Sequence, residues 1–317
     1  MRIISFSTKE SNWQSPRLGI LLHRAGQDTG YRLDCEKLFE RADQPENPLS
    51  WFDMDSEWFQ KAREVCERIA EDDNALAEAE KRGWLVPSQD AYWFAPVPRP
   101  GKLICIGLNY RDHAAESNMT IPKQPVVFSK FSTAVIAPGE PVVLPSTSTQ
   151  VDYEAELAVV IGRRAKDVSA ARALDYVLGY TCFNDVSARD FQFADGQWQR
   201  GKSCDTFAPM GPTIVTADEV PNPHHLSIKL ILNGQAMQDS NTDQLIFGIP
   251  ELIEFLSQTM TLEPGDVIAT GTPSGVGFAR KPPVFLKSGD KMEVVIEKVG
   301  TLNNPVVAAE KAVAMPS

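Results

Sequence analysis

The amino-acid sequence predicts a mainly β protein of the α+β class, built on mixed or antiparallel strands. Three observations support this prediction. After residue 99 most apolar residues fall in short runs bounded by turn residues, regular helical crossovers between these runs are missing, and one run ends in the hairpin signal Asn233-Gly234. A doubly wound parallel sheet needs a helix between successive strands, so the pattern argues against that fold class.

The proline-rich connector Phe94–Gly101 is predicted to divide the chain into a small N-terminal α+β domain, residues 1–98, and a larger domain, residues 99–317. The N-terminal part shows two strand-like runs and one long segment with apolar residues at helical spacing. The elements expected there are strands at Arg2–Phe6 and Arg17–His23 and one or two helices within Glu57–Arg82. We predict no chemistry in this part of the chain.

The larger domain is expected to hold most of the strands. A helix should begin near Gly248, because Pro250 then falls in the first turn, where its missing N–H costs nothing. The glycine-rich turn Gly271–Gly277 lacks the Gly-Lys-Ser/Thr sequence and the following helix of a phosphate loop. The extended segments expected here are Val151–Gly162, Tyr180–Ser187, Leu226–Leu232, Asp266–Thr270 and Met292–Val299.

Composition excludes several classes of partner. The formal net charge is −11 and no block of basic residues occurs, so neither a nucleic acid nor an anionic membrane is expected as a partner. The five cysteines are an odd number without the spacing of a metal site, which is typical of reduced thiols in the cytosol. The N-terminal apolar run is too short for a signal peptide, and no window is long enough to span a membrane. We therefore expect a cytoplasmic protein.

Three carboxylates on two extended segments are the candidate metal ligands. Glu154 and Glu156 are two residues apart, so they lie on the same face of a strand, and Asp185 follows a neighbouring apolar strand. Adjacent glutamates repel each other unless a cation or water screens them. An all-oxygen ligand set favours Mg²⁺ or Mn²⁺, with Ca²⁺ as a further option, over zinc. On spacing alone a solvated strand edge remains the alternative.

Six sequence blocks, in a fixed order, form a specific pattern. The blocks are Ile106–His113, Val127–Lys130, Asp152–Glu156, Asn184–Asp190, Gly201–Pro212 and Pro264–Gly277. In these blocks the chain resembles the fumarylacetoacetate hydrolase family, and above all its longer, domain-containing branch. The resemblance covers roughly residues 98–306 and implies a β-sandwich roll as the fold of the larger domain. It also implies that the three carboxylates bind a divalent cation.

A histidine and a glutamate are the candidate base. His113 and Glu116 are three residues apart in a run of good helix formers, which places them on one helix face. A neutral imidazole held by a carboxylate is a competent base near neutral pH. On its own such a pair is more often a surface pair, but the resemblance implies that this one activates water. It also implies that the segment 112–124 closes over bound ligand as a lid.

Cations and polar side chains near these blocks are the candidate substrate contacts. The resemblance implies that Arg189 and Gln192 bind substrate and that Lys202 stabilises an oxyanion or assists protonation. Thr272, through its hydroxyl or its backbone, and Tyr110 are expected to line the ligand. Each of these residues alone would equally suit a surface or packing position.

The resemblance implies a metal-dependent enzyme acting on small 2-oxo acids. The main prediction is hydrolytic cleavage of a carbon–carbon bond in a 2,4-dioxo acid such as an acylpyruvate or fumarylacetoacetate, through a metal-bound pyruvate enolate. Decarboxylation or keto–enol tautomerisation of oxaloacetate is the alternative within the same chemistry. A non-catalytic, metal-binding scaffold is the alternative from another class. The family commonly forms homodimers, so a homodimer is expected.

Overall fold

The structure, a computed structural model, describes residues 1–9, 16–24, 27–39 and 48–309. The predicted long helical segment is two helices, because Asp72 ends the first and caps the second by accepting a hydrogen bond from the Asn74 N–H. The N-terminal elements are strands β1 (Arg2–Thr8), β2 (Arg17–Arg24), β3 (Gln27–Asp34), β4 (Leu85–Pro87) and β5 (Ala91–Phe94) and helices α1 (Glu57–Glu71) and α2 (Asp73–Lys81).

Strands dominate residues 99–309, the described remainder of the chain, with four helices among them. The strands are β6 (Leu103–Gly107), β7 (Val126–Ser129), β8 (Val135–Ile136), β9 (Val142–Leu144), β10 (Val151–Asp152), β11 (Ala155–Ile161), β12 (Val177–Asn184), β13 (Ser187–Ala188), β14 (Ala208–Thr216), β15 (Ser227–Leu232), β16 (Gln235–Asn241), β17 (Val267–Ala269), β18 (Lys291–Ile296) and β19 (Gly300–Ala308). The helices are α3 (Arg111–Glu116), α4 (Arg189–Gln192), α5 (Gln199–Lys202) and α6 (Ile249–Thr259). Short 3-10 turns occur at Cys35–Leu38, Pro48–Phe52, Ser88–Asp90, Ser132–Ala134, Ala170–Tyr176, Ala217–Glu219, Thr242–Gln244 and Gly277–Ala279.

The described residues form two large sheets and one small one. The main sheet has the order β4-β3-β2-β1-β14-β12-β11-β17-β6-β7, with β5 on β1 and β8 on β14, and the second sheet has the order β16-β15-β18-β19-β9. Most pairs are antiparallel, but β6 runs parallel to β17. Strands β15 and β16 form the predicted hairpin, whose turn residues Asn233 and Gly234 both have positive φ. The mixed, mainly β fold class is confirmed.

The N-terminal strands extend the main sheet rather than forming a sheet of their own. Strand β1 pairs with β14 through Arg2 opposite Val215 and Ile3 opposite Ile214. One apolar core contains residues from both sides of the connector, for example Phe59 of α1 and Val160 of β11. The division at residue 98 stays a prediction. Within the described ranges, no helix is both long and apolar enough to cross a membrane.

Strand β11 lies at the centre of the main sheet and separates two cores. Leu157 and Val159 face one core, and Ala158 and Val160 face the other, as the period of two requires. The predicted strand at 151–162 is interrupted, because β10 ends at Asp152 and pairs with β13, whereas β11 pairs with β12. This interruption places the residues around 153 and 154 where two strand pairs diverge.

Candidate active site

The candidate site lies where the sheet opens beside β11. Strand β17 ends at Ala269, which pairs with Ala158, so residues 155–157 have no strand partner on that side among the residues that the structure describes. The following loop supplies part of the missing ladder, since both the backbone N–H and the hydroxyl of Thr270 donate to the Leu157 carbonyl at 3.1 and 2.8 Å. The side chains at the start of β11 therefore face a gap closed by a glycine-rich loop instead of a strand.

The structure brings the three predicted carboxylates together. Glu154, Glu156 and Asp185 are buried, and one oxygen from each lies within 4.8 Å of the others. Asp185 is held in place because its backbone N–H donates to the Glu154 carbonyl at 2.9 Å. The backbone N–H of Glu154 donates in turn to the side chain of Asn184 at 3.0 Å. Their function as metal ligands stays a prediction.

Two buried lysines neutralise part of this cluster. The Lys202 ammonium lies 2.7 Å from both Glu154 Oε2 and Asp185 Oδ2, and the Lys130 ammonium lies 2.5 Å from Asp185 Oδ1. Burial alone would lower the pKa of Lys202, but Asp185 and Glu154 raise it above its ordinary value, so Lys202 stays charged. The pKa of Lys130 is lowered, since burial and the neighbouring Lys202 outweigh its single carboxylate partner.

Arg189 also binds to this cluster of carboxylates through hydrogen bonds. Its guanidinium donates to Asp152 at 2.9 Å and also to Glu154, and it donates to the Gln192 side-chain oxygen at 2.9 Å. Asp152 is fully buried and accepts a further hydrogen bond from the Gly277 N–H at 2.7 Å. Arg189 and Gln192 thus hold each other and the cluster, and their predicted contact with substrate stays a prediction.

The charge balance around Glu156 suits a divalent cation. Glu156 accepts one hydrogen bond, from the Gly271 N–H at 2.9 Å. Burial together with the negative charges of Asp185 and Glu154 raises the pKa of Glu156 well above its usual range. For Glu154, burial also acts to raise the pKa, but Arg189 and Lys202 lower it far below its usual range. A cation among the three carboxylates would relieve the repulsion at Glu156, and hard oxygen donors match Mg²⁺, Mn²⁺ or Ca²⁺.

Helix α3 carries the predicted base to this cluster. His113 is buried, and its Nδ1 lies 3.5 Å from Glu116 Oε2, which is long for a hydrogen bond. Both Glu116 oxygens accept from the Gly275 N–H at 3.0 Å. Although burial acts to raise the pKa of Glu116, His113 and the Gly275 N–H lower it, so Glu116 stays ionised. Glu116 thus tethers the helix to the glycine-rich loop and presents a charge to the imidazole.

Helix α3 is also fastened to the second sheet. Asp112 accepts hydrogen bonds from the Ser240 hydroxyl at 2.6 Å and the Ser274 hydroxyl at 3.3 Å. After the helix the chain is exposed, with Met119 at 54% and Ile121 at 51% exposure. The predicted lid at 112–124 is therefore anchored at its start and open at its end, and its closure over ligand stays a prediction.

Thr272 and Tyr110, the two remaining residues predicted to line the ligand, differ in their hydroxyl groups, since that of Thr272 has protein partners and that of Tyr110 is unpaired among the described residues. The Thr272 hydroxyl donates to the Ala155 carbonyl at 2.9 Å and accepts from Gln238 at 2.8 Å, so it is paired within the protein, and its predicted contact with ligand stays a prediction. The Tyr110 ring packs in the core, and within the described part of the chain its buried hydroxyl has no hydrogen-bond partner. Burial and the charge of Glu156 raise the pKa of Tyr110 well above its usual value, so the hydroxyl keeps its proton.

Sequence reasoning missed three polar residues that the structure places in the network, namely Lys130, Asp152 and Gln238. All three are buried. Two of them carried a usable signal, since Lys130 ends one family block and Asp152 begins another. Gln238 carried no such signal, because it lies outside every block and reaches the site from the other sheet.

Comparison with known proteins identifies the family. The fumarylacetoacetate (FAA) hydrolase C-terminal profile matches residues 102–307. The mitochondrial oxaloacetate tautomerase of Xenopus laevis is 41% identical over 312 residues, which is 97% of this chain and 90% of that protein. The mitochondrial oxaloacetate tautomerase of Rattus norvegicus is 49% identical over 224 residues, 70% of this chain and 72% of that protein. The chain belongs to the fumarylacetoacetate hydrolase family and is an enzyme of that superfamily.

Solved structures agree with this assignment. A fumarylacetoacetate hydrolase from psychrophilic Exiguobacterium antarcticum superposes with a TM-score of 0.76 at 33% identity, covering 97% of this chain and 99% of that one. A 2-hydroxyhepta-2,4-diene-1,7-dioate isomerase from Mycobacterium marinum superposes with a TM-score of 0.72 at 34% identity, covering 98% and 99%. The resemblance seen in the sequence blocks is therefore confirmed, as is the fold of this family.

Two predictions change in the light of these relatives. The prediction of a cytoplasmic protein is contradicted, because the relatives from Xenopus laevis, Rattus norvegicus and Bos taurus are named as mitochondrial proteins. The short N-terminal apolar run and the odd number of cysteines argue only against secretion and do not indicate the cytosol. The names of the relatives also favour the tautomerase alternative over the hydrolytic cleavage predicted first. The alternative of a non-catalytic scaffold loses its basis, since the chain belongs to a superfamily of enzymes.

Proposed function

We propose that this protein is a divalent-metal-dependent oxaloacetate tautomerase. The observation that carries the proposal is the 41% identity, over 97% of the chain, with a protein named for that activity. The site is chemically suited to it, because it combines a cluster of buried carboxylates and lysines with a buried imidazole, His113, whose charge would act on Glu154. Keto–enol exchange requires only that one proton leave carbon 3 and that another reach the 2-oxygen.

His113 is the proposed carrier of the carbon 3 proton. When the keto form reacts, the C–H electron pair becomes the new carbon–carbon double bond, and the carbonyl pair moves onto oxygen, which then takes a proton. Imidazole suits this exchange because it can accept and return a proton near neutral pH. Glu116 is held ionised at the Gly275 N–H and lies 3.5 Å from His113, so its charge favours the protonated imidazole formed during the reaction.

Glu154, Glu156 and Asp185 are the proposed ligands of Mg²⁺, which Mn²⁺ can replace. A divalent cation in this position supplies Lewis-acid polarisation of a 2-oxo acid. Lys202 does not serve as a base in this scheme, because two carboxylates keep it protonated. Its fixed positive charge, together with that of Lys130, offsets negative charge that develops on the substrate oxygen.

The proposal is tested by following proton exchange directly. Purified protein with Mg²⁺ or Mn²⁺ is mixed with oxaloacetate, and the decay of the enol absorbance is compared with the rate without protein. Release of CO₂ is measured in the same samples. Acceleration of the enol decay that is lost in excess chelator, without matching CO₂ release, supports tautomerisation. Metal-dependent CO₂ release at the rate of enol decay would instead identify a decarboxylase.

Hydrolysis of an acylpyruvate is the second candidate. It is favoured by the 33% identity with the protein from Exiguobacterium antarcticum, which is named as a fumarylacetoacetate hydrolase. In this reaction His113, supported by Glu116, would take a proton from a water molecule and not from carbon 3 of the substrate. A panel of acylpyruvates in the same assay separates the two, since cleavage removes the diketone absorbance and releases pyruvate.

A homodimer remains our proposal for the oligomeric state. Apolar side chains on the outermost strand β7 and just beyond it are exposed, namely Val126, Val127 and Phe131. Such a patch on a sheet edge is a candidate surface for a second copy. Light scattering of the protein as it leaves a size-exclusion column measures its mass, and a monomer mass at micromolar concentration would contradict the proposal.

A further inference from the structure

We propose that Gln238 is a positioning residue that fixes the spacing between the strand bearing the metal ligands and the glycine-rich loop that lines the site. The inference rests on the proposed metal site and adds a residue from the second sheet to it. Gln238 lies on β16, whereas the carboxylates lie on or beside strands of the main sheet. It is 1% exposed, so its amide is an interior polar group that must be satisfied by protein partners.

Every hydrogen bond of the Gln238 amide ends at the site. The side-chain oxygen accepts from the Ala155 N–H at 2.9 Å. The side-chain nitrogen donates to the Thr272 hydroxyl at 2.8 Å and to the Pro273 carbonyl at 2.9 Å. Thr272 completes a closed ring by donating to the Ala155 carbonyl at 2.9 Å. Both backbone groups of Ala155 that would pair with a neighbouring strand are thus satisfied by side chains.

The position of Ala155 explains why this ring matters. Ala155 lies between Glu154 and Glu156, so any shift of its backbone moves both carboxylates. Strand β17 pairs with β11 only from Ala158 onward, so no ladder holds Ala155 on that side. The ring of Gln238 and Thr272 takes the place of the missing strand at Ala155.

Strand β16 also contacts helix α3, which carries the proposed base His113. Ser240 follows Gln238 by two residues, so both side chains lie on one face of β16. Ser240 donates to Asp112 at the start of helix α3. Strand β16 therefore sets the position of the carboxylate strand through Gln238 and that of the base helix through Ser240.

The test compares Gln238→Met, which keeps the side-chain length and removes the amide, with Thr272→Val, which breaks the ring from its other side. Asn304→Leu is the matched control, because Asn304 is an equally buried amide whose nitrogen donates to the Ala137 and Glu140 carbonyls, outside the site. Each variant leaves a buried partner unsatisfied, so all three should lose thermal stability. Mn²⁺ affinity by calorimetry and hydrogen–deuterium exchange of the peptide containing residues 154–157 are the decisive measurements.

We expect Gln238→Met and Thr272→Val to weaken Mn²⁺ binding by about tenfold and to speed amide exchange in residues 154–157, while Asn304→Leu changes neither. The double variant should lose little more Mn²⁺ affinity than either single variant, since both disrupt one ring. Wild-type Mn²⁺ affinity and wild-type exchange in both site variants would overturn the proposal, and Thr272→Val still decides if Gln238→Met does not fold. Neither measurement needs substrate. If the wild-type protein has no tautomerase activity, the proposed function is contradicted, but this inference is still decided by amide exchange and Mn²⁺ binding. If the wild type binds no Mn²⁺, unchanged exchange alone overturns it.

Discussion

Glu156→Gln should make the metal-free protein more stable and remove its response to metal. The amide keeps an oxygen that can accept from the Gly271 N–H, so packing and that hydrogen bond are preserved. Two unit charges no more than 4.8 Å apart repel by at least roughly 3.5 kcal/mol at an effective dielectric constant of about 20. Glu156 faces such repulsion from Glu154 and Asp185, offset by attraction to Lys202. In the wild type, protonation of Glu156 already relieves part of the net repulsion that Lys202 does not offset. We therefore expect the free energy of unfolding of the metal-free Glu156→Gln protein to exceed that of the wild type by about 1–3 kcal/mol.

Thermal unfolding with and without Mn²⁺ measures both effects. At a Mn²⁺ concentration about 100 times its dissociation constant, the wild-type protein should gain about 2.7 kcal/mol, whereas the variant should gain far less. Glu64→Gln is the control, because Glu64 is 63% exposed on helix α1 and should leave both measurements unchanged. A metal-free Glu156→Gln protein that melts below the wild type, or one that Mn²⁺ stabilises fully, would refute the reasoning.

Three further predictions follow from the same geometry. His113→Asn should lower tautomerase activity by roughly 10²–10⁴-fold with Mn²⁺ binding unchanged in a calorimetric titration, and wild-type activity would exclude His113 as the proton carrier. His224 Nε2 accepts a hydrogen bond from the Ile249 N–H, and burial lowers the pKa of His224 although Glu251 opposes this shift. The contribution of neutral His224 to stability is therefore present above pH 6.5, the ordinary pKa of the group, and is lost as the pH falls below 6.5 towards the lowered pKa. His224→Gln should flatten this loss in urea unfolding between about pH 7.5 and 5, whereas the exposed His225→Gln should not. Proteolysis within 118–124 should slow when oxalate and Mg²⁺ are both present, and equal cleavage rates with and without them would argue against a lid.

The sequence predicted those parts of the site that depend on local geometry. Glu154 and Glu156 lie on one face because side chains alternate along a strand, and their neighbours Val151, Tyr153 and Leu157 lie in the core on the other face. Likewise His113 and Glu116 are close because helical residues three apart are neighbours. The helix that begins near Gly248 and the hairpin of β15 and β16 follow from equally local signals, Pro250 in the first turn and Asn233-Gly234 in the connection.

Long-range pairing could not be predicted from the same signals. Lys130 meets Asp185 across 55 residues of sequence, and Gln238 meets Ala155 across 83. Lysine and glutamine side chains are ordinarily exposed, and only the tertiary arrangement of the strands makes these two interior. The interruption between β10 and β11 was also missed, since Tyr153 continues the apolar alternation through the break.

The pairing of β1 with β14 has a practical consequence for anyone who shortens this chain. The region that matches the family profile starts at residue 102, yet β14 of that region is covered along one flank by β1 of the preceding segment. A fragment trimmed to the profile would present Ile214 and Val215 on an unpaired edge and strip the cover from the core that Val160 shares with Phe59. Such edges recruit other chains and precipitate. We therefore expect the smallest unit that folds on its own to begin before the family profile does, and only the longer unit to remain in solution.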